Sequence, residues 1–230
     1  LEVEVMANAP SRVVIIANGH LSDPAEARRR IRPGDHIICA DGGTHHARVM
    51  GLTPNVVVGD MDSLDQGLRT ELEAVGVRFE VHSTRKDETD LELALKLATA
   101  EGADDIEILA MLGGRLDQSL ANLLMLARSE WAPAWVRVTE GNQSAWPVRG
   151  GQETTIKGMR GDLLSLVPLT SLVTGVTLEG VEWPLNDATL HFGSTLTISN
   201  TLMGSTARLK VEEGLVLVVH QSTDREEEIQ

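Results

Sequence analysis

The 230 residues carry a formal net charge of −14, and 42% of them are hydrophobic. That composition suits a globular protein of one large or two modest domains with a real core, and it argues against a nucleic-acid partner, which needs basic surface to displace counterions. The longest apolar runs, Leu163 to Leu169 and Leu215 to Val219, fall far short of a bilayer span. With no signal-peptide pattern at the N-terminus either, a cytoplasmic protein with no membrane partner is expected. The single Cys39 rules out an internal disulfide and a Cys-rich zinc site, and its apolar surroundings read as a buried, inert thiol. Met6 is a candidate natural start, and the acidic tail Asp224 to Glu228 reads as a frayed end.

From Arg12 to about Thr139, short β-branched runs alternate with helical patterns, the mark of βαβ units on a parallel sheet. The expected strands are Val13 to Ala17, His36 to Ala40, Val56 to Val58, Val77 to Val81, Ile106 to Ala110 and Ala134 to Val138. Asp23 and Pro24 open a helix, Thr44 to Met50 ends at Gly51, and Thr89 to Glu101 ends at Gly102. After about Asn142 the pattern becomes short and alternating, with glycine turns. Strands are expected at Glu153 to Ile156, Asp162 to Val167, Gly175 to Glu179, Thr195 to Ser199, Ala207 to Val211 and Leu215 to His220, enough for a β-sandwich. The reading is therefore an α/β, Rossmann-like parallel-sheet domain over residues 10–145 and an all-β domain over 146–222, with the boundary near Gly141, Pro147, Gly150 and Gly151.

Four aspartates stand near the ends of strand patterns: Asp41 in A-D-G-G, Asp60 and Asp62 in G-D-M-D-S, and Asp87 in K-D-E-T-D. Ligands bind outside the carboxyl ends of the strands in an open parallel sheet, so the position favours a site. Two carboxylates 4 Å apart would repel by about 4 kcal/mol at an effective dielectric near 20, a cost that a divalent cation or shared protons would offset. Hard oxygen ligands point to Mg²⁺. Each aspartate alone also suits a helix cap or turn, and Asp87 with Asp90 has the spacing of a capping pair. Asp60 and Asp62 resist that reading, because alternate residues of an extended segment point to one side.

Lys86, beside these acids at a helix start, suits a phosphorylated ligand. Gly113 and Gly114 allow close backbone approach, Arg115 is a candidate phosphate clamp, and Asp117 is either a cap or a site residue. No P-loop and no G-x-G-x-x-G stands anywhere in the chain. His45 and His46 diverge by about 100° on a helix, which makes them a poor metal pair and favours surface or supporting roles. In the β half, Trp183 either stacks on a flat ring or plugs the sandwich end, and Ser199 and Asn200 stand beside a turn.

In order, A-D-G-G, G-D-M-D-S, K-D-E-T-D, G-G-R-L-D-Q, G-V-E-W-P-L and I-S-N-T resemble the thiamine pyrophosphokinase family, over nearly the whole chain from Val13 to Val219. The resemblance implies an α/β plus β-sandwich homodimer with its site between subunits. It also implies transfer of the diphosphate of ATP to the hydroxyl of thiamine, giving thiamine diphosphate and AMP. On that basis Asp41, Asp60, Asp62 and Asp87 gather Mg²⁺, and Asp41, Gly42, Gly43, Lys86, Asp90, Gly114 and Arg115 bind ATP. Asp62, Asp87, Arg115 and Asp117 serve catalysis, and Gln118, Trp183, Ser199 and Asn200 meet thiamine. One departure is Gln118, which stands where many members carry His; it can hydrogen-bond but cannot titrate. Two rival readings are a pyrophosphokinase for another flat alcohol, such as a hydroxymethyl pterin, and a non-catalytic thiamine or nucleotide sensor.

Overall fold

The computed structural model describes residues 12–85 and 87–223. Met6, Lys86 and the acidic tail lie outside them. The chain divides into two compact units, one running to Asn122 and including Arg128–Val136, the other comprising Leu123–Ala127 and the chain from Arg137 onward.

The first unit is built on five strands: β1 (Arg12–Ile16), β2 (His36–Ala40), β3 (Val56–Gly59), β4 (Arg78–Val81) and β5 (Asp105–Leu109). All are parallel, in the order β5-β1-β2-β3-β4, as the alternating pattern led one to expect. Between them run α1 (Pro24–Arg29), α2 (Gly43–Val49), α3 (Gln66–Ala74) and α4 (Asp90–Ala100), and α5 (Leu116–Met125) follows β5. Asp23 caps α1, accepting from the N–H groups of Ala25 and Glu26, with Pro24 in the first turn.

Strand alternation sends Val14, Ile16, Cys39 and Val57 to one side, where Ala47 of α2 and Leu68 and Leu72 of α3 complete a core. Helix α4 packs on β1, β2 and β3. Cys39 is fully buried within this core, as expected of an inert thiol, and burial pushes it up to about 12. At the amino ends of β1 and β5, the buried Arg12 is paired with Asp35 and Glu107 and lies 3.2 Å from Asp105.

The chain runs from β1 to β4 in one direction and then returns to place β5 on the other side of β1. That reversal opens a crevice above the carboxyl ends of β1 and β5, the switch point where ligands bind in this architecture.

The second unit holds most of β6 (Trp135–Glu140), with β7 (Gln143–Arg149), β8 (Gln152–Lys157), β9 (Leu163–Pro168), β10 (Leu172–Glu179), β11 (Leu185–His191), β12 (Asn200–Thr201), β13 (Thr206–Val211) and β14 (Leu215–Gln221). One antiparallel run has the order β12-β9-β14-β7-β6 and the other sheet is β11-β10-β13-β8. Trp146, Leu164, Leu166, Val176, Leu178, Leu209 and Val218 fill the core that joins them. The alternating pattern thus does form a sandwich.

Several expectations need correction. Helix α3 was not foreseen, although Asp65 caps it by accepting from Leu68 N–H at 2.8 Å and Leu68 and Leu72 are its buried stripe. The segment 142–150, expected as a boundary, is mostly strand: Val138 pairs with Ala145 in a β6–β7 hairpin, so the sixth candidate strand is antiparallel to its neighbour. Thr195 to Ser199 is not a strand. Its Ile198 N–H turns back to Thr195 C=O at 3.2 Å, Thr197 is pinned to Leu166 through its hydroxyl, and Ser199 is left-handed with φ 59°. Strand β11 was also missed; it is polar along one side and pairs with β10 through shifts in register.

Candidate active site

A cleft of about 450 Å³ opens in the first unit at the switch point. Its walls come from the loop after β1 (Ala17–His20), from Ala40 and Asp41 at the end of β2, from Thr89–Leu91 at the start of α4, from Met111 and Gly113–Arg115 after β5, and from Gln118 and Asn122 on α5. The loops after β1 and β5 are joined backbone to backbone: Gly19 N–H donates to Ala110 C=O at 2.7 Å and His20 N–H to Leu112 C=O at 2.6 Å. Gly19 has no room for a side chain, since a Cβ there would stand 2.4 Å from Leu112 C=O.

Asp41 adopts φ 41° at the end of β2, and only 4% of it is exposed. Its C=O accepts both the N–H and the hydroxyl of Thr44, which turns the chain into α2. The glycines that follow serve close packing: a Cβ on Gly42 would strike the Asn18 amide at 2.3 Å, and one on Gly43 would meet Ile16 C=O at 2.0 Å. In A-D-G-G the glycines therefore seat the aspartate against β1.

Oxygens of Asp41, Asp60 and Asp62 come within 4.8 Å of one another. The convergence is made by a turn and not by extended alternation: Met61 is left-handed at φ 63°, and Asp62 N–H folds back onto Asp60 Oδ1 at 3.2 Å. Ser63 donates its hydroxyl to Asp62 at 3.1 Å. Burial pushes the Asp41 carboxyl above the ordinary aspartate range; a Ser63 hydrogen bond opposes that, and the charges of Asp90, Asp60 and Asp62 add to it. Asp41 Oδ1 is buried without a hydrogen-bond partner. An orphaned buried oxygen beside two further carboxylates is the donor set a hard divalent cation takes, so the residues present fit a metal.

Asp87, expected with these three, is not in the converging group. Asp90 is not in that group either, but it lies near Asp41 across Gly59: a Cβ on Gly59 would lie 2.9 Å from Asp41 Cβ and 3.0 Å from Asp90 Oδ1. Nor do Asp87 and Asp90 form a capping pair, because the cap of α4 is Thr89, whose hydroxyl accepts Glu92 N–H at 3.2 Å. Lys86 lies outside the described residues.

Gly113 and Gly114 are both left-handed, at φ 91° and 71°, and a Cβ on Gly113 would strike His20 Cβ at 2.5 Å. Arg115 folds onto Asp117 in a two-toothed ion pair, its Nε donating to Oδ1 at 3.1 Å. That hydrogen bond holds the Asp117 carboxyl below its ordinary range and the Arg115 guanidinium above its own. Both side chains are exposed, so the pair is loose enough to exchange for another anion. Gln118 lines the same cleft. Asn18, His20, Met111 and Asn122 were missed by sequence reasoning. The rule that placed Asp41 applies equally to the end of β1, where A-N-G-H stood unread.

In the second unit, Trp183 is 59% exposed and plugs nothing in this chain. Its segment is fastened on both sides: Val181 bridges Leu202, and Glu182 N–H donates to Thr201 C=O at 2.9 Å. Asn200, 5% exposed, accepts Trp183 N–H on Oδ1 at 3.1 Å and donates Nδ2 to Trp183 C=O at 2.8 Å. Its amide holds the Trp183 backbone. Ser199 is exposed beside it, its N–H bonded to Ser165 Oγ at 2.9 Å.

Residues 28–135 match the family model for thiamin pyrophosphokinase, catalytic domain, and residues 153–216 that for thiamin pyrophosphokinase, vitamin B1 binding domain. A thiamine pyrophosphokinase of Bacillus subtilis (strain 168) is 30% identical over 187 residues, which are 81% of this chain and 87% of that protein. The crystal structure of thiamine pyrophosphokinase from Bacillus subtilis aligns with TM-score 0.82 at 27% identity, covering 93% of this chain and all of that one. Yeast thiamin pyrophosphokinase aligns with TM-score 0.73 at 14% identity over 94% of this chain and 87% of that one, a likeness of fold alone.

Proposed function

The chain belongs to the thiamine pyrophosphokinase family, an ATP-dependent diphosphotransferase acting on thiamine, and we propose that it does this chemistry at the switch-point cleft of its first unit. The observation that carries the site assignment is the convergence of Asp41, Asp60 and Asp62 beside that cleft, with a buried oxygen of Asp41 left unpartnered.

Transfer proceeds by attack of the thiamine hydroxyl oxygen on the β-phosphorus of ATP. The bond between that phosphorus and the oxygen bridging to the α-phosphate breaks, so AMP leaves with that oxygen, and the hydroxyl proton passes to a neighbouring carboxylate, directly or through water. This is a problem of positioning and charge more than of covalent help from the protein. Asp41, Asp60 and Asp62 would hold the divalent cation, which we take to be Mg²⁺, with Asp90 close by. The cation supplies positive charge against the phosphate oxygens. Arg115 exchanges Asp117 for a phosphate, and Gly113 and Gly114 leave the backbone open to close approach by the chain of phosphates. Lys86, next to the start of α4, is assigned to phosphate as well. Asp87, which stands apart from the three converging carboxylates, is kept as a catalytic candidate, together with Asp62, Arg115 and Asp117.

The acceptor side rests on Trp183, whose exposed indole offers a face for the aminopyrimidine ring, with Ser199 next to it. Asn200 acts on thiamine by fixing Trp183. Gln118 faces the cleft as a hydrogen-bonding group without a titrating one. A homodimer with its site between subunits is part of the proposal. Leu116 and Leu120, 83% and 56% exposed one turn apart on α5, support an apolar contact beyond the single chain. No helix among the described residues is long and apolar enough to cross a membrane, and the proposed location is the cytoplasm.

The test compares acceptors: with ATP and Mg²⁺, AMP release should depend on thiamine and not on a hydroxymethyl pterin. The reverse preference would move the activity to the pterin, and no acceptor-dependent AMP would favour the sensor reading.

A further inference from the structure

Two adjacent imidazoles on α2 each reach a different loop of the proposed site. His45 Nε2 lies 2.9 Å from Ser63 C=O, and His46 Nε2 lies 2.9 Å from Gly19 C=O. A carbonyl oxygen only accepts, so both rings present Nε2–H to their partners. Helical neighbours point about 100° apart, which makes the pair useless for one metal and lets a single helix tie two loops. The loop held by His45 is the turn that carries Asp60 and Asp62, closed by Ser63. The loop held by His46 is the exit of β1, whose Gly19 and His20 line the cleft. Helix α2 itself begins two residues after Asp41. Asp41, the Asp60–Asp62 turn and the β1 loop are thereby referred to one rigid element.

We infer that His45 and His46 are positioning residues with divided duties: His45 sets the Asp60–Asp62 turn against Asp41 for the divalent cation, and His46 sets the β1 loop for the nucleotide. This rests on the proposed function for the identity of the ligands. The duties separate because the two carbonyl partners belong to different loops. Asn18, beside Gly19, already packs its amide over Gly42 at the start of α2, so the β1 loop has a second tether to the same helix. Ser63 likewise reaches beyond its own turn, through its hydrogen bond with the Asp41 carboxyl, so each loop keeps one further contact when its histidine is lost.

Two binding titrations and one activity assay test it. Mn²⁺ binding to the intact protein without nucleotide is followed by the spectrum of free Mn²⁺, and α,β-methylene-ATP binding is measured at saturating metal. His45→Ala should weaken Mn²⁺ by about two- to tenfold and leave the nucleotide within twofold, whereas His46→Ala should weaken the nucleotide by about two- to tenfold and leave Mn²⁺ unchanged. His45→Gln and His46→Gln, which keep a donor, should recover most of each loss. If an alanine variant does not fold, His→Leu against His→Gln at the same position gives the same comparison of bulk without and with a donor. Equal losses of both ligands in both variants, no loss in either, or no recovery with Gln would overturn the assignment. A wild-type protein that binds both ligands but releases no thiamine-dependent AMP would count against the proposed function and leave the binding comparison standing.

Discussion

Asn200 grips the backbone of Trp183 at both its N–H, 3.1 Å from Oδ1, and its C=O, 2.8 Å from Nδ2, and a third bond runs from Thr201 N–H to the same Oδ1 at 2.9 Å. The indole that these bonds steady is itself mostly exposed. Asn200→Ala should therefore cost about 1–3 kcal/mol of stability, from backbone groups left unpartnered, and raise the KM for thiamine. Trp183→Ala should raise the thiamine KM at least as much while changing stability by about 0.5 kcal/mol or less. Thermal unfolding with parallel kinetics separates the two, and an equal rise in the KM for ATP in either variant would contradict the acceptor role.

Asp62 is exposed, and its carboxylate faces Asp60 and Asp41 rather than a core. Asp62→Asn is expected to abolish turnover, weaken metal-dependent nucleotide binding and leave the circular dichroism spectrum and Tm as they are. Retained turnover would remove Asp62 from the site.

Asp41 carries a pH signature. Its pKa is raised in the folded state by burial and by neighbouring carboxylates, so its favourable contribution is complete below the unfolded carboxylate range and is lost as pH rises through the raised value. Metal-free Asp41→Asn should then unfold at a higher temperature than the parent at neutral pH, with the gap closing on acidification through the carboxylate range. Divalent metal should reverse the order, because only the parent gains by binding, by about 2.7 kcal/mol at a hundredfold excess over Kd. Melts from pH 4 to 8 with chelator and with Mg²⁺ check both halves.

Arg115 and Asp117 neutralise each other at the rim of the cleft. Arg115→Ala should raise the KM for ATP roughly 10- to 100-fold, the scale of a lost charge-assisted bond, with the thiamine KM and Tm unchanged. Arg115→Lys should recover only part of it, since an ammonium cannot offer the planar fork.

Cys39, with its thiol pushed up to about 12 inside the core, should resist thiol reagents at pH 8 until the protein unfolds. Labelling in buffer and in denaturant, read by absorbance, checks this.

The parallel sheet was legible because β-branched runs such as Val13 to Ala17 and Ile106 to Ala110 recur between helical patterns, and buried parallel strands demand that composition. Asp41, Asp60 and Asp62 were legible as a group because strand ends and motif order agreed. What went unseen had weaker local signals. Helix α3 buries only Leu68 and Leu72, while β11 is mostly polar on a sheet edge. The T-L-T-I-S run from Thr195 imitates a strand although Leu196 is 75% exposed, because Thr197 meets Leu166 at one point, through its hydroxyl and its C=O, with no run of ladder bonds on either side. That Asp90 rather than Asp87 lies beside Asp41 follows from where α4 begins, since Asp90 is its first residue behind the Thr89 cap and Asp87 stays outside the helix. His45 and His46 were read as a poor metal pair with surface or supporting roles, and the carbonyls they hold, those of Ser63 and Gly19, are distant in sequence and leave no trace in it.

The most direct test of the central claim is a ³¹P NMR assay of the purified protein with ATP, thiamine and Mg²⁺. Diphosphate transfer predicts AMP and thiamine diphosphate appearing in equal amounts, with no ADP or orthophosphate and no AMP when thiamine is omitted. ADP as the nucleotide product, or AMP formed at the same rate without thiamine, would contradict it.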